Sequence, residues 1–167
     1  MRQSARSIGY GVLAIALAVA PLAGCSAGAS NFGNSNLEAA ELPNIGSYTA
    51  EGALSEARAH FRNNDFGYSA ALYKRAAELA PKNAEAYVGL GASYDRLGRF
   101  DLSDRVYEAL FKLSGGTVQY YNNVGYSYML RGNLSAAVKS FKKAITMDPD
   151  NIVVANNLQI VANAAKA

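Results

Sequence analysis

The chain has 167 residues but only one cysteine, one histidine, four prolines and no tryptophan. A lone cysteine excludes an intramolecular disulfide framework, and one Cys with one His leaves a tetrahedral zinc site short of ligands. Charged residues are scarce, at 17%. The formal charge of +3 includes Arg2 and Arg6, and without them 14 basic residues face 13 acidic ones. That balance offers phosphates no basic patch, so the charge argument for a nucleic-acid partner fails. The glycine-rich pieces follow no strand and lack a Lys-Ser/Thr pair, which removes support for a phosphate cradle. What is present is apolar: half of the residues are hydrophobic, with 11 Tyr and 6 Phe, too many for a wholly disordered chain. The length suits one domain of ordinary size.

The N-terminal segment reads as an address. Met1 to Ser7 carries Arg2, Arg6 and no acid, and Ile8 to Gly24 is free of charge. A positive start, a short apolar run and small residues at its end are the parts of a secretory signal. Pro21 and the dilution by Gly and Ala make the run marginal as a membrane span. Leu22-Ala23-Gly24-Cys25 resembles the lipobox of bacterial lipoproteins. The resemblance implies removal of residues 1–24 and a lipid on Cys25. Two or more acyl chains make such an anchor stable, each buried CH₂ contributing about 0.8 kcal/mol. Ser26 follows rather than Asp, which by resemblance to the sorting pattern of double-membraned bacteria implies the periplasmic face of the outer membrane. Residues 25–47 are then the lipidated Cys and a flexible tether. Ser26–Ser47, rich in Gly, Ser, Asn and Ala, has a reach of about 25 Å.

A 34-residue period organises the remainder, residues 48–167. Gly91 and Gly125 keep this spacing, as do Tyr87 and Tyr121, Tyr94 and Tyr128, and the triple Tyr73, Tyr107 and Phe141. Asn64, Gly98 and Gly132 mark a turn in each of three units, followed two residues later by Phe66, Phe100 and Leu134. Apolar residues at i, i+3, i+4 and i+7 give each helix one buried face. A glycine or alanine at the eighth position of a unit lets two helices approach closely. The pattern resembles the tetratricopeptide repeat (TPR), with units at about 50–83, 84–117 and 118–151. Unit one departs at Glu56, where an apolar residue is expected, and at His60, where the others have Tyr. Unit two departs with Ser103 and Leu110 at small positions and Gly115-Gly116 in place of proline. Residues 152–165 read as a capping helix, since a helical hairpin cannot cover its own apolar side. The expected fold is all-α: a right-handed TPR solenoid of three helix-turn-helix repeats plus that cap.

No catalytic constellation emerges. His60 sits at a repeat core position, Asp101 and Asp104 stand at a helix start where carboxylates complement the dipole, and Asp148-Pro149-Asp150-Asn151 lacks the later ligands of a calcium loop. No cofactor or metal is implied beyond the lipid on Cys25. The TPR resemblance implies instead a concave groove lined by the first helix of each hairpin. Its expected residues are Arg58, Phe61 and Arg62 from unit one, and Glu85, Val88, Ala92, Asp95 and Arg96 from unit two. Unit three adds Gln119, Asn122, Tyr126, Met129 and Leu130, and the cap adds Asn156 and Ile160. Tyr126, Met129 and Leu130 beside Arg96 and Asn122 would make a peptide-binding hot spot. Asn122 and Asn156 would bond a peptide backbone. The carboxylate clamp of chaperone-binding TPRs is absent, because Leu54, Val88 and Asn122 occupy position five.

The expected role is therefore a non-enzymatic, lipid-anchored periplasmic scaffold that binds a protein or an extended peptide. The run from Asn122 to Leu130, the later Ala155-Asn156-Asn157-Leu158 and the lipobox together resemble the TadD family of tight-adherence (Flp) pilus systems. The resemblance implies help in assembling or placing an outer-membrane secretin. The alternatives are an adaptor for peptidoglycan enzymes or outer-membrane assembly components and, lacking a nucleophile and base, a periplasmic hydrolase. Cys25→Ala is expected to abolish labelling by a palmitate analogue and to leave an uncleaved precursor. Labelled mature protein persisting in that variant contradicts the lipobox reading.

Overall fold

The computed structural model describes residues 42–164; residues 1–24, Cys25 and most of the expected tether lie outside them. Seven α-helices and no strand occur among the described residues: α1 Ala50–Arg62, α2 Phe66–Leu79, α3 Ala84–Arg96, α4 Phe100–Ser114, α5 Val118–Leu130, α6 Leu134–Met147 and α7 Ile152–Ala164. The all-α architecture is the expected one. Helices pair as α1–α2, α3–α4 and α5–α6, and α7 packs over α6.

Side-chain oxygens begin most of these helices. Thr49, Asn83, Thr117 and Asn133 accept from the backbone N–H of Gly52, Glu85, Tyr120 and Ala136. Asn151 accepts from Val154 N–H at 3.1 Å and opens α7. Each satisfies a donor that the helix leaves orphaned. Asp148-Pro149-Asp150-Asn151 thus serves as a helix junction, with Asn151 Nδ2 also donating to Asp148 at 2.9 Å. Within each hairpin the turn needs one residue in the left-handed region. Asn64, Gly98 and Gly132 supply it at φ 63°, 71° and 76°.

The hairpins close through the interlock anticipated at position eight. A Cβ placed on Gly125 would lie 2.7 Å from the Phe141 ring, and one on Gly91 would lie 2.6 Å from that of Tyr107. Hydrogen there is what allows the ring to lie against the neighbouring helix. The first helix is regular despite Glu56 and His60, because Ala53, Leu54 and Ala57 supply its buried face and Glu56 points to solvent. His60 is half-buried, its Nδ1 3.4 Å from the Asp65 carboxylate and its ring 5.3 Å from that of Tyr68.

Residues 42–47, the last of the expected tether, are folded onto the domain. Ile45–Ser47 forms a 3₁₀ turn, Leu42 and Tyr48 pack against the first core cluster, and Arg75 donates to the Gly46 carbonyl at 3.1 Å. Burying Leu42 and Tyr48 against that cluster holds the stretch down.

The buried apolar residues form two clusters. One joins α1–α4 through Leu54, Leu72, Tyr73, Leu90, Tyr94 and Leu97. The other joins α5–α7 around Phe141, Ala144, Val154 and Val161. Gly125→Val is expected to lower unfolding stability by about 1–3 kcal/mol, the usual cost of overpacking a tight contact. Urea denaturation followed by circular dichroism measures it; an unchanged midpoint contradicts the interlock.

Candidate functional site

The first helices α1, α3, α5 and α7 carry the expected groove residues, and the structure sorts them into free and committed groups. At the N-terminal end Arg58 reaches across to α3 and binds Glu85 bidentately, Nε to Oε1 at 2.5 Å and Nη2 to Oε2 at 2.7 Å. Both side chains are exposed. The hydrogen bond from Arg58 holds the Glu85 carboxyl below the usual carboxylate range, and Arg58 is raised in return. Arg58 is therefore neutralised. Phe61 is half-buried, edge-on to Phe66 at 5.3 Å, and the Arg96 guanidinium lies 4.3 Å above that same Phe66 ring. Arg62 is exposed.

Three expectations need correction. Asp95 does not face the groove: it is 4% exposed and lies between α3, α4 and α5. Its carboxylate accepts from Tyr107 Oη at 2.8 Å and from Ser127 Oγ at 2.6 Å. Position twelve points to the neighbouring first helix here, and partners on two helices hold the carboxylate in place. Tyr126 and Met129 are half-buried against the second core cluster, which α7 completes with Val154 and Val161. They pack on a cluster shared by α6 and α7, so they contribute to the core. Asn122 is also occupied: its Oδ1 accepts from Asn157 Nδ2 of α7 at 2.9 Å.

Free apolar surface lies further towards the C-terminal end. Leu130 is 39% exposed, Val153 60% and Ile160 54%. Asn156 is exposed, and Val88 is half-buried beside Gln119. Val153 is position two of α7 and could have been found by the counting that gave Asn156 and Ile160. Val153, Asn156 and Ile160 recur at i, i+3 and i+7 and so share one face of α7; contiguous apolar surface, rather than single exposed residues, marks contact sites.

A second constellation carried no sequence signal. Arg131 donates bidentately to Asp104 at 2.8 and 2.9 Å, and from Nη2 to Ser127 Oγ at 2.6 Å. Its guanidinium also lies 4.7 Å from the Phe100 ring centre and 5.3 Å from that of Tyr128. With Asp95, Ser127 and Tyr107 this makes a polar cluster between repeats two and three. Desolvation pushes the Asp95 carboxyl up, against the lowering effect of its hydroxyl donors and of Arg131. Burial likewise pushes the Tyr107 phenol well up. The cluster borders a cavity of about 250 Å³ lined by Asp104, Phe111, Tyr120, Val124 and Arg131 among others. Asp104 thus serves as an ion-pair partner, whereas Asp101 stays in the first turn of α4, where Arg99 holds it below the usual range. Among the described residues, no group of His, Cys, Asp and Glu is placed to hold a metal ion.

Family models described as tetratricopeptide repeat match residues 54–103 and 118–151, together about half of the chain. A curated relative, the chloroplastic tetratricopeptide repeat domain-containing protein PYG7 of Arabidopsis thaliana, is 34% identical over 70 residues. That match covers 42% of this chain and 23% of PYG7, so the chain spans about a quarter of that relative's length. Among solved structures, the first TPR domain of human RPAP3 superposes with a TM-score of 0.63 at 17% identity, covering 71% of this chain and 93% of that one. The Yersinia enterocolitica type III secretion chaperone SycD, in complex with a peptide of the translocator YopD, gives 0.57 at 15% identity, covering 69% and 93%. At these identities the structures establish the fold.

The raised Asp95 pKa fixes the sign of a pH dependence. The native state keeps its Asp95 proton to higher pH than the unfolded chain does. Stability attributable to Asp95 is therefore fully present below the ordinary carboxylate range and is lost as pH rises through the raised native value. Urea midpoints measured against pH are expected to fall more steeply for the native chain than for Asp95→Asn. Parallel profiles rule the effect out.

Proposed function

Because the chain carries tetratricopeptide repeats and folds as an all-α TPR solenoid, we propose that it is a non-enzymatic scaffold whose first-helix face holds an extended segment of another protein. The observation that carries this reading is the exposed apolar set Leu130, Val153 and Ile160, with the Asn156 amide among them. The core does not use these side chains. On a partner segment, alternate apolar residues would bury against them while the Asn156 amide bonds the backbone. The SycD structure supports peptide binding as a use of such an array. Leu54 is buried, Val88 is half-buried and Asn122 is engaged by Asn157, so a carboxylate clamp has no cation at position five. An apolar segment suits this face better than an acidic tail.

The finer reading follows from the lipobox and the TadD-like runs. In it the protein is anchored through Cys25 at the periplasmic face of the outer membrane and assists assembly or placement of a pilus secretin. An adaptor for peptidoglycan enzymes or outer-membrane assembly components would use the same face with a different partner.

Crosslinking in intact cells followed by mass spectrometry of the purified protein separates these. Secretin and pilus-assembly components are expected, and murein enzymes or barrel-assembly proteins in their place keep the scaffold and discard the pilus. The double variant Val153→Asp/Ile160→Asp is expected to weaken capture at least about tenfold, or 1.4 kcal/mol, with an unchanged melting temperature. Undiminished capture contradicts the face assignment.

A further inference from the structure

Successive repeats are joined in unlike ways. At the first joint the Tyr73 ring of α2 lies on Gly89 of α3, where any Cβ would clash with it, and α2 packs along the length of α3. Ser69 and Ser93 meet there directly, their hydroxyls 3.0 Å apart. At the second joint every one of these features changes. Asn123 stands where Gly89 does, one period on, and Leu110 stands where Ala76 does. The Asn123 amide nitrogen is buried without a partner. Ser103 and Ser127, the counterparts of Ser69 and Ser93, form no mutual bond; instead the Asp95 carboxylate accepts from Ser127. α4 packs against α5 far less extensively than α2 against α3.

The space left shows as two cavities at the α4–α5 joint. One, of about 250 Å³, lies between Phe111 on α4 and Val124 on α5; the other, of about 330 Å³, lies between Leu110 on α4 and Val118 on α5. Tyr120 lines both. The break between the two apolar clusters falls at the same place, α1–α4 on one side and α5–α7 on the other. The connection is Gly115-Gly116, with Gly115 at φ 72°. The charges bordering the first cavity are already paired, Arg131 with Asp104 and Glu108 with Lys112, so it presents a ligand with no uncompensated charge.

We propose that the second joint is a hinge about which α1–α4 and α5–α7 rotate as two bodies. Close-packed interfaces resist sliding because every contact must be broken at once, whereas a joint flanked by voids and held by a few polar bonds, the Phe111–Tyr120 ring pair and the Arg131–Phe100 contact gives up little on a small rotation. Hinges take this form: a few terminal or loop residues absorb the change while the packed elements stay rigid. The Asp95–Ser127 and Asp104–Arg131 bonds act as restraints on the range. Rotation alters the spacing of Val88 and Ala92 on α3 from Gln119 and Asn122 on α5, and with it the width of the first-helix face. The inference stands on the joint alone and is independent of what that face binds.

The test is a pair of distance distributions from pulsed electron resonance on spin-labelled full-length chain carrying Cys25→Ser. Labels at Lys74→Cys and Lys139→Cys span the joint, and labels at Lys74→Cys and Arg105→Cys lie within the first body. The spanning pair is expected to give a distribution about twice as wide, and Val124→Phe, which fills the smaller cavity, is expected to narrow it. Equal widths for the two pairs overturn the hinge, whether or not Val124→Phe folds. A folded Val124→Phe chain with the width unchanged overturns it as well.

Discussion

The rest of this structure depends on an aromatic ring set against a helix that has no side chain at that point. Phe141 on Gly125 and Tyr107 on Gly91 bring the two helices of a hairpin together, and Tyr73 on Gly89 joins one hairpin to the next. Each contact buries a large apolar ring at low entropic cost and sets the helix separation within tenths of an ångström. Once that separation is set, the neighbouring small positions Ala57, Ala76, Ala137 and Ala144 are buried completely, and the hairpins can stack.

Where the interlock is replaced, the character of the interface changes with it. Between repeats one and two the buried contact is apolar with one pair of bonded hydroxyls, and the Arg58–Glu85 ion pair lies at its exposed edge. Between repeats two and three a buried carboxylate, two hydroxyls and an ion pair take over, and voids open on either side. Between repeat three and α7 the counterparts of the serines are Ala137 and Val161, and the buried contact is apolar again, with the Asn157–Asn122 bond beside it. A buried carboxylate costs desolvation that its donors only partly repay, so such a joint favours one geometry more through directionality than through strength.

The candidate binding face shows how far periodicity reaches. Counting positions along the first helices picks out Asn156 and Ile160, which are exposed, and reaches Val153 by the same rule. It placed Asp95, Tyr126 and Met129 there too, and these are committed to the core. The error has one cause: a helix in a stack has two neighbours besides its hairpin partner, and residues on the flanks of the concave stripe are claimed by the adjacent first helix. Tyr126 is claimed by the α7 core, and Asp95 is claimed by Tyr107 and Ser127.

The sequence by itself determined the number of helices in the repeats, their turns and their hairpin pairing, because those follow from local rules: a 3.6-residue apolar period, a left-handed residue at Asn64, Gly98 and Gly132, and a capping oxygen before most helices. Only the tertiary structure decided which polar residues are free. Arg58 looks available until Glu85, 27 residues on, is seen to pair with it, and Arg131 carries no signal until Asp104 is set opposite it. Such pairings join residues on different helices, and their geometry depends on the stacking angle, which no single helix carries in its own sequence. The folding of residues 42–47 onto Arg75 was decided in the same way, by a surface that exists only once the first repeat has formed.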